Sequence, residues 1–380
     1  MSSILSTPLN QPLLDSNIVS FLALLRAGLW EQSVRLMPFS PIDFAAIFKL
    51  AQEQTVEGII AAGLEHIEDK TVSRQECLPF LKSVIILEKR NIAMNSFIGV
   101  TVKSLKEGGI YPVLIKGQGI AQCYSRPLWR SAGDVDFFFD ETNYKKALEY
   151  LSPLADKIEL ENGTRMHVSL IINSWIVELH GTMHSGISRK IDRCIDVVQN
   201  DIFENNGTRL WHNNHTIVEL PNPDNDVILV FSHIIDHFFV GGIGLRQIVD
   251  WCRLIWTYFD ELDKELLKRR LESMGLLREW QAFATLSIDY LGMPQNRMPF
   301  YQETGLYHRK AYQILRLVLY TGNFGRNIDN SYRARYPKLV EKSITFFRRF
   351  MEFNRIATIF PKNTLGFFLT YIARRIRIAL

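Results

Sequence analysis

The sequence has no C-x-x-C pair, and its four cysteines, Cys77, Cys123, Cys194 and Cys252, stand far apart. That excludes a zinc ribbon or a disulfide framework and fits a reducing, cytoplasmic interior. There is no internal repeat, no low-complexity tract and no G-x-x-x-x-G-K-[ST] phosphate loop. The opening MSSILSTPLNQPLLDSN lacks a basic n-region and a small-residue cleavage site, so residues 1 to about 15 read as a loose arm rather than a signal peptide. Long apolar runs are missing too. The nearest, VILVFSHIIDHFFV at 227–240, contains Asp236 and two histidines and is shorter than the ~20 residues a spanning helix needs. A buried helix is expected there, with no transmembrane segment.

What is present is an ordinary globular composition: 47% hydrophobic, 22% charged and 12% aromatic over 380 residues, enough for two or three compact units. The net charge of +4 conceals an asymmetry. From residue 331 onward Arg333, Arg335, Lys338, Lys342, Arg348, Arg349, Arg355, Lys362, Arg374, Arg375 and Arg377 face only Glu341 and Glu352. Such a region suits an anionic partner, whether nucleic acid, membrane surface or acidic protein, or is simply the solvated face of a helical domain.

Periodicity divides the chain into three stretches. Residues 1–107 are a helical region, with apolar positions at helical spacing in SNIVSFLALLRAGL, PIDFAAIFKLAQEQ and the long run ending at Gly108-Gly109. Ser16 and Ser40-Pro41 are expected helix starts. Residues 108–220 form a compact α/β unit with a mixed sheet: strand 111–115, a short helix to Tyr124, strand 134–139, helix 143–151, and strands 166–172 and 175–180. Residues 221–380 return to helix and end in the basic tail, with Asp224 or Asn225 as candidate cap of the helix carrying His233 and His237. The fold class expected is helix-rich α+β.

The chemistry centres on Asp134-Val135-Asp136. With the period of two of a strand, both carboxylates project to one face while Val135 enters the core. Two carboxylates a few ångströms apart repel unless a cation lies between them. Mg²⁺ or Mn²⁺, hard ions that take oxygen ligands and substrate phosphates, is the natural occupant. Glu178, alternating with Val177 and Leu179 in VELH, is a third carboxylate of the kind a two-metal site requires. Upstream, Lys116-Gly117-Gln118 lies at a strand-to-helix turn where backbone can approach a phosphate. Arg130, four residues before Asp134, is placed to clamp one through its planar fork. His180 shares the Glu178 face and is expected to orient Glu178 or touch a phosphate. The mechanism that follows is in-line displacement of pyrophosphate from an NTP by an acceptor hydroxyl that a carboxylate activates.

The ordered set LIKGQGIAQCY, RSAGDVDFFF and VELH resembles an uncharacterised bacterial nucleotidyltransferase family of the DNA polymerase β-like superfamily. HIIDHFFVGGIGLRQIVDWCRL, with His233, His237, Leu245-Arg246 and Asp250, is similar to the helical segment that follows the catalytic unit in that family. The likeness spans roughly 85 to 260. It implies a small polymerase β-like core flanked by helical regions, an NTP donor, and an acceptor that is a protein, a small molecule or RNA. Gln118 stands where the superfamily usually has serine, and the spacing from Gly117 to Asp134 is longer than its commonest pattern. A degenerate nucleotide-binding or regulatory member on the same fold is the alternative.

Other motifs are weaker. Gly117-x-Gly119 lacks the third glycine of a dinucleotide fingerprint, because Gln122 occupies its place. His233 and His237 share a helix face without an evident third ligand and read as a semi-buried pair. His180 and His184 are separated by a turn, which weakens a helical zinc pair. Arg246 and Asp250 are spaced for a helix-face ion pair. His167, at the start of a strand, carries no signal of its own.

Overall fold

The computed structural model describes residues 15–160, 166–240, 242–325, 327 and 337–379. The expected arm before residue 15, Gly241, Arg333 and Arg335 lie outside the described residues, as do the side chains of Lys338, Arg374, Arg375 and Arg377. The chain starts with α1 (Ser16–Trp30), α2 (Phe44–Gln54), α3 (Glu57–Leu64) and α4 (Arg74–Glu107). It continues through β1 (Val113–Ile115), α5 (Gly117–Ala121), β2 (Asp134–Phe138), α6 (Glu141–Leu151), β3 (Lys157–Leu160), β4 (His167–Ile172) and β5 (Trp175–His180). Next come α7 (Arg189–Glu204), β6 (Thr208–Asn213), β7 (Thr216–Pro221) and α8 (Pro223–Val240). The rest is helical: α9 (Leu245–Tyr258), α10 (Lys264–Met274), α11 (Leu277–Leu291), α12 (Gly305–Thr321), Lys338–Ala357 and Pro361–Ala379. Among the described residues no helix is long and apolar enough to cross a membrane.

The helix ends have local causes. Asp15 caps α1 by accepting the Ile18 N–H at 2.8 Å. α2 starts at Phe44, three residues beyond Ser40-Pro41, because the Asp43 carboxylate accepts the N–H groups of Ala45 and Ala46. α8, by contrast, starts before the expected cap: Pro223 takes its first position, and Asn222 accepts the Asn225 N–H at 2.9 Å. Gly109, at φ +69°, closes α4 as its glycine pair predicts, with the Ile110 N–H returning to the Leu105 carbonyl.

The chain packs into two compact units. One consists of Met1–Leu81, Ile234–Val249 and Arg278–Leu380; the other of Lys82–His233 and Asp250–Leu277.

In the first unit α1 lies directly on α3. A Cβ on Gly63 would stand 2.1 Å from the Leu24 carbonyl oxygen, and one on Gly28 1.9 Å from that of Ile59. Only a hydrogen fits at either place, and backbone cannot swing aside as a side chain does. Gly63→Ala is therefore expected to destabilise this unit by at least the ~1–3 kcal/mol typical of overpacking, read as a lower thermal midpoint. A wild-type midpoint would mean that the two helices are not in this contact.

The second unit holds a mixed sheet in the order β3-β4-β5-β2-β1-β7-β6. β2 runs parallel to β5 and β1 parallel to β7, while the other neighbours are antiparallel. β3 and the β6–β7 hairpin extend the sheet beyond the four strands expected from periodicity. On one face Val135, Phe137, Phe139, Val177, Leu179, Val168 and Leu170 form the core with Met94, Ile98, Val102 and Leu105 of α4. The four α4 residues recur at helical spacing, so one stripe of that long helix covers the sheet. Residues alternate across a strand, so this burial turns Asp134, Asp136 and Glu178 to the opposite face. There Phe138 meets Phe203 of α7, ring centroids 5.1 Å apart.

Candidate active site

Three neighbouring strands of the second unit, β4, β5 and β2, and the turn after β1 supply the site. Asp136 and Glu178 are register partners on parallel β2 and β5, and Asp134 shares their face two residues earlier. Asp136 is only 3% exposed, so its charge needs compensation on the spot. Lys116 Nζ lies 3.2 Å from Asp136 Oδ1, and His180 Nε2 lies 2.9 Å from the same oxygen. Glu178 Oε2 stands 3.3 Å from His167 Nε2 and 3.5 Å from His180 Nε2. The site is thus a closely coupled array of carboxylates, one ammonium and two imidazoles.

These neighbours set the protonation states. Burial alone would lower the Lys116 pKa, but Asp136, Glu178 and Asp134 outweigh it and raise the value above 10.5. Burial alone would raise Glu178; hydrogen bonds from His167 and His180, with the charges of His180 and Lys116, instead hold it well below the usual carboxylate range. A carboxylate held down in this way adds stability above its ordinary value of 4.5 and loses it as pH falls toward the folded value. The stability cost of Glu178→Gln should therefore be largest near neutral pH and shrink in acid, as urea unfolding at several pH values would read. A cost independent of pH would contradict this pairing.

Lys116 is held by an unusual backbone. Its φ of 56° and ψ of −143° lie outside the compact left-handed basin, and Gly117 follows at φ +39°. Strain of this kind costs on the order of 1–3 kcal/mol for a residue with a side chain and clusters at functional sites. Among the described residues beyond its own turn, a Cβ on Gly117 would meet the Asp134 carbonyl oxygen alone within 4 Å, at 3.6 Å. The bare side of this turn is open, as backbone approach to a phosphate requires.

Two expected phosphate contacts are placed elsewhere. Arg130 is 5% exposed and gives Nε and Nη2 to the two Asp250 carboxylate oxygens at 2.8 and 2.7 Å, and Nη1 to the Ser131 carbonyl. Tyr124 donates its hydroxyl to the same carboxylate at 2.7 Å. Asp250, spaced in sequence to meet Arg246, thus serves Arg130 and Tyr124. The Arg130 fork is a structural clamp because burial demands a bidentate partner. Gln118 is 1% exposed and donates to Asn91 Oδ1 at 2.8 Å, so its side chain points into the protein.

Asn91 is the residue sequence reading missed on this side. Fully buried on α4, it also donates to the carbonyls of Leu128 and Arg130, tying the loop before Asp134 to α5. His184, four residues after His180, turns to Asp196 at 2.6 Å. His237 packs edge-on to Phe324. Among the described residues, the group with metal-ligand geometry is His167, Glu178 and His180, whose ligand atoms all lie within 4.8 Å of one another.

His167 had a legible signal after all. A two-residue hairpin loop at Asn173-Ser174, both at positive φ, pairs residues whose numbers sum to a constant. That register sets His167 opposite His180 and Ser169 opposite Glu178.

The chain matches, over residues 40–292, the model of a family described as uncharacterised nucleotidyltransferase. The match covers two thirds of the chain and includes every site residue named above. No curated protein and no solved structure matches it significantly.

Proposed function

Since the chain belongs to this nucleotidyltransferase family, we propose that it is a metal-dependent enzyme on a polymerase β-like core. It transfers a nucleoside monophosphate from an NTP to a hydroxyl acceptor with release of pyrophosphate. The observation that carries the reading is the face shared by Asp134, Asp136 and Glu178, set by the parallel β2–β5 register, with Lys116 Nζ 3.2 Å from Asp136.

The donor chemistry suits a hard divalent cation: three carboxylates share one face, and the buried one already draws an ammonium to itself. The three must draw together to meet one ion, since the trio already within ligand distance is His167, Glu178 and His180. Asp134, Asp136 and Glu178 would hold Mg²⁺ or Mn²⁺, which supplies neutralisation of charge on the phosphate oxygens. The chain's own groups do the rest. Lys116 brings a permanent positive charge to the triphosphate from a strained turn whose outer side is open. Gly117 lets the backbone approach, and His180 fixes the rotamer of Asp136. One carboxylate of the three accepts the proton of the acceptor hydroxyl as the bond to phosphorus forms, and pyrophosphate leaves in line.

A second reading has its own observation. Asp136 Oδ1 already lies within hydrogen-bond reach of both Lys116 and His180, as in a structural ionic cluster of a non-catalytic nucleotide-binding or regulatory protein. Calorimetric titration of each NTP with Mg²⁺ and again with EDTA separates the two. Metal-dependent binding of at least one NTP is expected of the enzyme; binding indifferent to EDTA, or none, would sink the proposal.

A further inference from the structure

His167 and His180 face each other across the antiparallel β4–β5 pair, with imidazole rings stacked at 4.5 Å and tilted by 14°. Both present Nε2 toward one oxygen, Glu178 Oε2, at 3.3 and 3.5 Å. A tetrahedral ion with bonds of about 2.0–2.1 Å separates its donors by about 3.3 Å. The two nitrogen–oxygen separations match that edge, and all three ligand atoms lie within 4.8 Å of one another. The side chains are also sheltered yet reachable: His167 is 15% exposed, His180 9% and Glu178 26%. Each stands on a strand rather than a loop, so the backbone is in place and only the stacked rings must turn about their side-chain bonds for both nitrogens to meet one ion.

We propose that His167, His180 and Glu178 form a second cation site, selective for an imidazole-preferring divalent ion such as Zn²⁺, beside the carboxylate site for Mg²⁺. Imidazole nitrogen suits zinc, copper, iron and nickel, whereas magnesium takes oxygen. Glu178 belongs to both sets and bridges them. Three protein donors leave one position of a tetrahedral ion open, the arrangement of catalytic rather than structural zinc. On binding, His180 Nε2 exchanges its Asp136 contact for the ion, and Asp136 keeps Lys116. The inference rests on the proposed function only in sharing Glu178, and its test needs no nucleotide.

The test is titration of the metal-free full-length protein with Co²⁺, read by visible ligand-field absorption, and with Zn²⁺, read calorimetrically. One equivalent should bind, with an absorption intensity characteristic of four-coordinate cobalt, and a large excess of Mg²⁺ should not displace it. Loss of a mere outer-shell partner costs metal sites roughly 10–100-fold in affinity, so His167→Gln and His180→Gln should each weaken binding by at least about 100-fold. Asp134→Asn should leave the cobalt spectrum in place. X-ray absorption of the zinc-loaded wild type, which depends on no variant folding, should show two imidazole nitrogens. An oxygen-only shell, no cobalt spectrum, or wild-type affinity in both histidine variants would overturn the proposal. A cobalt spectrum in a protein that binds no NTP would uphold this site and leave the proposed function to fall alone.

Discussion

Asp136→Asn is expected to abolish Mg²⁺-dependent nucleotide binding in a protein that still folds. The replacement conserves volume at a position 3% exposed, so packing is kept. Its loss is electrostatic: an amide oxygen is a poorer ligand than a carboxylate, and the cation site falls from three negative charges to two. A drop of roughly 100-fold, about 2.7 kcal/mol, is the least expected for a nucleotide whose triphosphate is held through the cation. Lys116 retains Glu178 and Asp134 among its charged neighbours, which is why the fold survives. If the cluster were only structural, the outcome would reverse: nucleotide affinity unchanged by Mg²⁺ or by the substitution, with lowered stability. Calorimetry and a thermal melt on the same sample separate the two.

Arg130→Ala should act the opposite way, on stability first. The guanidinium makes two parallel hydrogen bonds to Asp250, and Tyr124 adds a third. Removing it leaves a carboxylate 4% exposed with a phenol as its remaining partner in this group. Breaking a buried pair from one side costs about 3–5 kcal/mol, because the other charge stays buried and uncompensated. Replacing Arg130 and Asp250 together by Met and Leu should recover much of that loss. Urea unfolding of the single and double variants reads both effects. A single variant as stable as wild type but unable to bind nucleotide would restore the phosphate-clamp role that the spacing to Asp134 suggests.

The contrast between Asp136 and Arg130 marks how far a sequence can be read. Asp134 and Asp136 are legible because alternation with Val135 and Phe137 leaves them no other face. Glu178 is legible through Val177 and Leu179 in the same way. Arg130 has an equally suggestive position, but its partner lies 120 residues away, and no local pattern carries that pairing. Gln118 looked like a variant of a phosphate-binding turn, and the buried Asn91 that holds it lies on a helix whose polar positions are otherwise unremarkable. β3 reads KIEL, too short and half polar to stand out. In the β6–β7 hairpin Leu210 and Ile217 are exposed, so its apolar residues do not sort to one face.

The central claim is that Asp134, Asp136 and Glu178 together hold the cation that carries a nucleotide. A crystal grown with Mn²⁺ and a non-hydrolysable NTP analogue tests it most directly, because manganese is located by its anomalous scattering. The account predicts a manganese peak in contact with all three carboxylates and with a triphosphate oxygen, and Lys116 turned from Asp136 to the phosphates. A triphosphate bound away from these residues, or a peak that none of the three carboxylates touches, would contradict it.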